Sequence, residues 1–383
     1  MTGKKPQWIG GIGAVLAVAA FAVWRLAETP APDSHRAPDR SRKLGEIQTP
    51  PPAPQPASPT NQKLQSAANE LAAAQTSDGK MEALARLRQT LASGSTNEIS
   101  NAIRHFLDTK IDAPTGQGFK IGGNGSLLEA PTLRTFLLDQ LALTDPAAAA
   151  GYARVILDSS ASPDEWAIAL RNLARGDTGV GARTLLETKT GELLGNQSWR
   201  RDPSAGYLEA FDTVVYLGGT ALVPPLSEMV RDKDNRAVAH AAFLTLDRLV
   251  INQPAEMLSI LNQNPDWMKG REETRANYFA RADVIDPIQR QLVESYLLDP
   301  ARKTAELQAF AGVFPNANFM ISQNLLTSNT TLDGATLSHR DQGALAVVNA
   351  WLAEPRFEKV TPTLEKMRSR LMKFTRQADD ATK

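Results

Sequence analysis

GGTALVPPLSEMVRDKDNRAVAHAAFLTLDRLVI, residues 218–251, divides into two apolar-faced halves around a charged turn. In the first half Leu222, Pro225, Leu226 and Met229 recur at helical spacing, and Asp232 and Asp234 then break the pattern. The second half repeats it with Val238, Ala241, Ala242, Leu246 and Leu249, a spacing that places all five on one helix face. The alanines let the second helix approach the first closely, which leaves the leucines to bury against a neighbouring pair. A helical pair of this kind cannot cover both of its apolar sides alone, so it predicts further pairs stacked on either side.

Helix signals of the same kind extend in both directions. Ser162-Pro163-Asp164-Glu165 is a capping box with proline at the first helical position, followed by Trp166, Ala169, Leu170 and Leu173 on one face. Ser95 with Glu98 repeats the device ahead of Ile99, Ile103, Phe106 and Leu107, and Ser338 with Asp341 is a third instance before Leu345, Val348 and Leu352. Proline steps at Asp145-Pro146, Asp202-Pro203, Pro224-Pro225, Gln253-Pro254, Asn264-Pro265, Asp286-Pro287 and Asp299-Pro300 punctuate the segments. No stretch alternates with a period of two, so the expected fold is all-α without a sheet.

Segment 218–251 resembles a HEAT repeat, with prolines in the first helix that match that family's characteristic kink. The sequence departs from the family after the Val238 position, where a basic residue is common and Ala239 stands; Arg236, two residues before Val238, is its expected substitute. Ser162 to Arg175 is similar to the second helix of such a repeat. The resemblance implies a HEAT-like α-solenoid or an irregular helical-repeat stack over residues 60–378, with a protein partner bound on the concave face that stacked pairs create.

At the N-terminus, Trp8 to Trp24 (WIGGIGAVLAVAAFAVW) is uncharged and lies between Lys5 and Arg25. At about 1.5 Å per residue it spans roughly 26 Å, which Arg25 and the next two residues extend to membrane thickness, so residues 8–27 are expected to be one transmembrane helix after a short tail, 1–7. Trp8 and Trp24 stand where indoles settle at the two interfaces. Ala20-Phe21-Ala22 offers a signal-peptidase site as the alternative, but the apolar run continues past it through Trp24. Residues 28–59, with the run TPPPAPQPASP, form a proline-rich disordered linker that acts as a spacer. The basic residues Arg36 to Lys43 favour a cytoplasmic helical domain; the short basic leader with Lys4 and Lys5 favours export, and the sequence is assigned to the inner membrane with its C-terminal domain in the periplasm.

With 42 basic and 42 acidic residues the formal charge is zero, which gives nucleic acid no attracting field. The absence of cysteine removes disulfides and thiolate metal sites. His35, His105, His240 and His339 form no ligand motif, and His339-Arg340-Asp341 lacks the asparagine five residues on that the kinase catalytic loop requires. No cofactor, metal or small-molecule substrate is expected. GQGFKIGGNG at 116–125 is the one glycine-dense stretch after the linker; with no Gly-Lys-Ser/Thr it is no phosphate loop, and Phe119, Lys120 and Asn124 are its candidate binding residues, in a long loop or small hairpin. The expectation is thus a membrane-tethered, non-enzymatic scaffold for an unidentified protein partner. Its alternatives are an envelope enzyme with a carboxylate site and a cytoplasm-facing adaptor.

Overall fold

The structure is a computed structural model that describes residues 59–381 apart from 160, 319, 321, 322 and 330, with the backbone alone from 376 onward. The anchor residues Trp8, Trp24 and Arg25, and the linker as far as residue 58, lie outside the described residues. Among the described residues no helix is long and apolar enough to cross a membrane.

The fold is all-α, a stack of helices with one small hairpin. Helices α1 (Pro59–Ala73), α2 (Ser77–Ala92) and α3 (Thr96–Asp108) pack as a group, and strands β1 (Lys120–Ile121) and β2 (Leu127–Glu129) pair antiparallel. Then follow α4 (Leu133–Thr144), α5 (Pro146–Leu157), α6 (Pro163–Gly176), α7 (Val180–Gly195), α8 (Gln197–Arg201), α9 (Ala205–Glu209) and α10 (Asp212–Leu217). The C-terminal part holds α11 (Val223–Val230), α12 (Arg236–Asn252), α13 (Pro254–Gln263), α14 (Glu272–Phe279), α15 (Pro287–Leu298), α16 (Thr304–Val313), α17 (Gly334–Ala353) and α18 (Thr361–Ala381). Helices α4, α6, α9 with α10, α12, α14, α16 and α18 touch one another in succession and form a spine, on which α5, α7, α11, α13 and α17 pack.

The spine is buried because its helices are apolar on most sides. In α6 every residue from Glu165 to Ala174 is buried, and in α12 Val238, Ala241, Ala242, Leu246 and Leu249 all lie in the core, as their spacing predicts. Trp166 and Trp351 are core anchors, and Trp267 packs against the core. Helices α5 and α6 approach so closely that a Cβ on Gly176 would fall 2.2 Å from the Pro146 carbonyl oxygen, so only glycine fits there.

Local caps explain most helix starts. The Ser162 hydroxyl accepts from the Glu165 amide at 3.2 Å, and Asp145 and Asp286 do the same for Ala148 and Gln289 at 3.0 and 2.8 Å. Replacing Ser162 with alanine is expected to remove about 1 kcal/mol of stability, read as a lower urea midpoint at unchanged slope.

Several expectations are corrected. Helix α17 starts at Gly334 rather than after Ser338, because Asp333 lies upstream and already accepts from the Thr336 amide at 2.8 Å. At Asp202-Pro203 the cap is Ser204, which accepts from Tyr207 at 3.1 Å; Asp299 closes a turn onto Ala301 instead of starting a helix. Pro224 and Pro225 sit in the first turn of α11, where proline's missing N–H removes no bond, so they make no kink. Arg236 is exposed, and the buried basic residue of this pair is Arg248. Helix α18 runs past 378 to Ala381, since 377–381 hold neither glycine nor proline to stop it. The hairpin, with Gly125 at φ +74°, is the one sheet among the described residues; strands of two and three residues are too short to show a period of two.

Candidate functional site

Along the spine, buried acid–arginine pairs join α4 to α6, α10 to α12, α12 to the end of α14, and α14 to α16. Asp139 of α4 meets Arg171 of α6 at 2.5 Å, and Asp212 of α10 meets Arg248 of α12 at 2.8 Å. Asp247 of α12 takes two bonds from Arg281, just past α14, at 3.0 and 2.9 Å; Glu306 of α16 takes two from Arg275 of α14 at 2.7 Å each. Adjacent residues of α12 therefore face opposite ways along the row: Arg248 back to α10 and Asp247 forward to Arg281. A charge this deep is held only where its partner and hydrogen bonds replace water.

The same side chains hold the connection between α16 and α17, which lies across the spine. Arg281 Nη1 donates to the carbonyls of Asn316 (3.2 Å) and Asn318 (2.8 Å), and Arg248 Nη1 donates to the Gln323 carbonyl (2.6 Å). Glu209 accepts the Asn324 amide at 3.4 Å, and Arg175 Nη2 donates to the Leu325 carbonyl at 3.1 Å. Asp212 accepts the successive amides of Leu326 and Thr327 at 2.6 and 2.8 Å. The Thr327 hydroxyl donates to Asp212 and accepts from Arg248 Nη2. Leu325, within this segment, is fully buried.

Two neighbouring features complete the site. A cavity of about 290 Å³ lies between the connection and α12, bounded by Leu244, Ile251, Met320, Leu332 and Arg340 among others. Arg340 of α17 donates to the carbonyls of Arg281 and Ala282 beyond the C-terminal end of α14, where a cation suits the helix dipole. At the other end, Arg175 Nη2 also donates to the Asn124 carbonyl in the hairpin turn, at 2.9 Å, and Arg171 Nη1 donates to the Gly125 carbonyl at 2.8 Å. A Cβ on Gly125 would lie 2.4 Å from the Leu325 carbonyl oxygen, so glycine is required where turn and segment meet.

The glycine-dense stretch is therefore the hairpin that abuts this segment. Asn124 brings its carbonyl to Arg175, while its side chain accepts the Ser126 amide at 3.1 Å. Phe119 packs against the core, close to Gly206, and Lys120 pairs with Glu129 at 3.4 Å on the surface. His105, His240 and His339 lie apart, and among the described residues no group of three histidines and acids is placed to hold a metal. Asp212, Asp247, Arg248 and Arg281 escaped the sequence reasoning, although Asp247-Arg248 inside the apolar run FLTLDRLV is the signal that marks them.

Burial raises the carboxyl pKa of both Glu209 and Asp212; hydrogen bonds from Asn324 at Glu209, and from Thr327 and Leu326 at Asp212, oppose the shift, and Asp212's charge adds to it at Glu209. A carboxyl whose folded pKa lies above its unfolded value loses stability as the pH rises through that interval. Glu209→Gln is accordingly expected to leave stability unchanged at pH about 3.5 and to increase it at neutral pH, in urea unfolding at the two pH values. No family of known proteins, no characterised protein and no solved structure matches this chain.

Proposed function

We propose that the protein is a membrane-tethered, non-enzymatic scaffold of HEAT-like helical pairs that binds a protein partner in a bacterial-type envelope, its helical domain on the periplasmic side. One observation carries this reading: the spine presents buried charged side chains whose bonds go to the main chain of the segment joining α16 to α17, which is how a surface built for polypeptide behaves. The tether read from residues 28–59 fits such a role, because a spacer lets a binding domain work at a distance from the bilayer. The enzyme alternative calls for a pair of free carboxylates in a cleft, whereas Glu209 and Asp212 both accept amides of that segment. The cytoplasm-facing adaptor differs in topology alone.

An alkaline phosphatase fusion after Lys383 is expected to be active; a stably expressed but silent fusion refutes the periplasmic placement. Crosslinking of the full chain in its native membrane is expected to capture a protein partner. If nothing is captured while the purified chain turns over an envelope substrate, the scaffold reading is wrong.

A further inference from the structure

The cavity beside α12 holds one charge that the fold leaves unmatched. Asp247, Arg248, Arg281 and Arg340 all line it. Arg281 gives two bonds to Asp247, and Arg248 is paired with Asp212, so these groups cancel in pairs. Arg340 has no such counterpart. Its Nη2 donates to the carbonyls of Arg281 and Ala282, it forms no ion pair among the described residues, and its Nε is buried with no hydrogen-bond partner there.

A buried N–H without an acceptor is costly, and an ionised acceptor answers it best, because charge-assisted hydrogen bonds are about twice as strong as neutral ones. Burial pushes the Arg340 pKa down, and the nearby Asp283 and Asp341 offset this only in part. An arginine nonetheless stays charged at neutral pH. The wall therefore presents one net positive charge, which a single carboxylate balances; a dianion would leave a negative charge buried and unpaired.

The remaining lining is largely apolar on one side. Leu244 is buried and Met320 half-buried, while Ile251 and Leu332 are 45% and 48% exposed and stand where the cavity meets solvent. A cation inside and apolar side chains out to the mouth suit an amphipathic molecule. The volume of about 290 Å³ equals that of about ten water molecules at roughly 30 Å³ each, at the low end of small-molecule sites, so the occupant is small.

We propose that this cavity binds a small aliphatic monocarboxylate of about six carbons, its carboxylate on Arg340 and its chain along Leu244, Ile251, Met320 and Leu332. The site goes beyond the scaffold reading and does not depend on it, since it needs no protein partner. A ligand there touches both α12 and α17, so its binding stabilises the folded chain.

The test titrates the full chain with sodium hexanoate, read by calorimetry and by the urea midpoint. Saturable binding at one site per chain is expected, with a midpoint that rises with hexanoate concentration. Hexan-1-ol, the same chain without the charge, and acetate, the charge without the chain, are each expected to bind at least about tenfold more weakly. Arg340→Met keeps the side chain's length without its charge, and Leu332→Asp places a like charge at the exposed mouth; each should weaken hexanoate by about tenfold or more. No saturable hexanoate binding means a cavity filled by water only and overturns the proposal. Equal binding of hexan-1-ol overturns it by removing the cation's role, and equal binding of acetate by removing that of the apolar lining. Unchanged affinity in either variant also overturns it. If Arg340→Met does not fold, the alcohol and acetate comparisons on the unmodified chain decide, together with Leu332→Asp. Failure here leaves the scaffold reading standing, because partner capture is measured separately.

Discussion

Asp212→Ala is expected to lower the stability of the helical domain by about 3–5 kcal/mol, because removal of one member of a buried ion pair leaves the other without compensation. Asp212 is fully buried and accepts four bonds, from Arg248, the Thr327 hydroxyl and two successive amides. Alanine would leave the guanidinium of Arg248 without its carboxylate and both amides without an acceptor. The measurement is urea unfolding followed by circular dichroism, with hydrogen exchange on Leu326 and Thr327 to show whether the segment is released first. Asp212→Asn keeps the shape and one acceptor oxygen, and should lose less.

Arg171→Met is expected to have an effect of similar size, about 3–5 kcal/mol, at the other end of the site. Arg171 is 1% exposed and donates to Asp139, to Asn172 and to the Gly125 carbonyl. Methionine has comparable length, so packing changes little, but Asp139 loses the cation that matches it and the hairpin loses one of its two arginine contacts. Adding Asp139→Leu should recover most of the loss, since an apolar pair can replace a buried ion pair of similar volume. If the double variant is no more stable than the single one, the loss comes from the hairpin contact and not from the unmatched carboxylate.

How far the sequence reveals the fold depends on how far apart the interacting residues lie. Ser95, Ser162, Asp145 and Asp286 each cap an amide three residues away, and all four are readable from local spacing. The two faces of 218–251 are readable for the same reason. Asp202-Pro203 and Asp299-Pro300 carry the same local signal and start no helix, because Ser204 and the turn at Asp299 take over. The segment 323–327 gives no local sign: its partners are Arg175, 150 positions away, Asp212, 114 and 115 away, and Arg248, 75 away. Arg248 is marked by its place beside Asp247 inside the apolar run FLTLDRLV, but that it turns toward Asp212 depends on the stacking. The glycine-dense loop is legible from its composition, whereas its place beside residues 323–327 depends on Arg171 and Arg175, whose partners lie far away in the sequence.

The partner is expected to engage the side of the spine that carries residues 323–327. This is tested most directly by placing a photo-crosslinking residue at Tyr216 or at Val155 in the full chain in its native membrane. Tyr216 lies one turn along α10 from Asp212 and is 40% exposed, its hydroxyl bonded to the Ala174 carbonyl; Val155 is 57% exposed on α5, which packs on the flank of the spine. A discrete adduct is expected from position 216 and none from position 155. The same adduct from both positions, or from 155 alone, contradicts this placement.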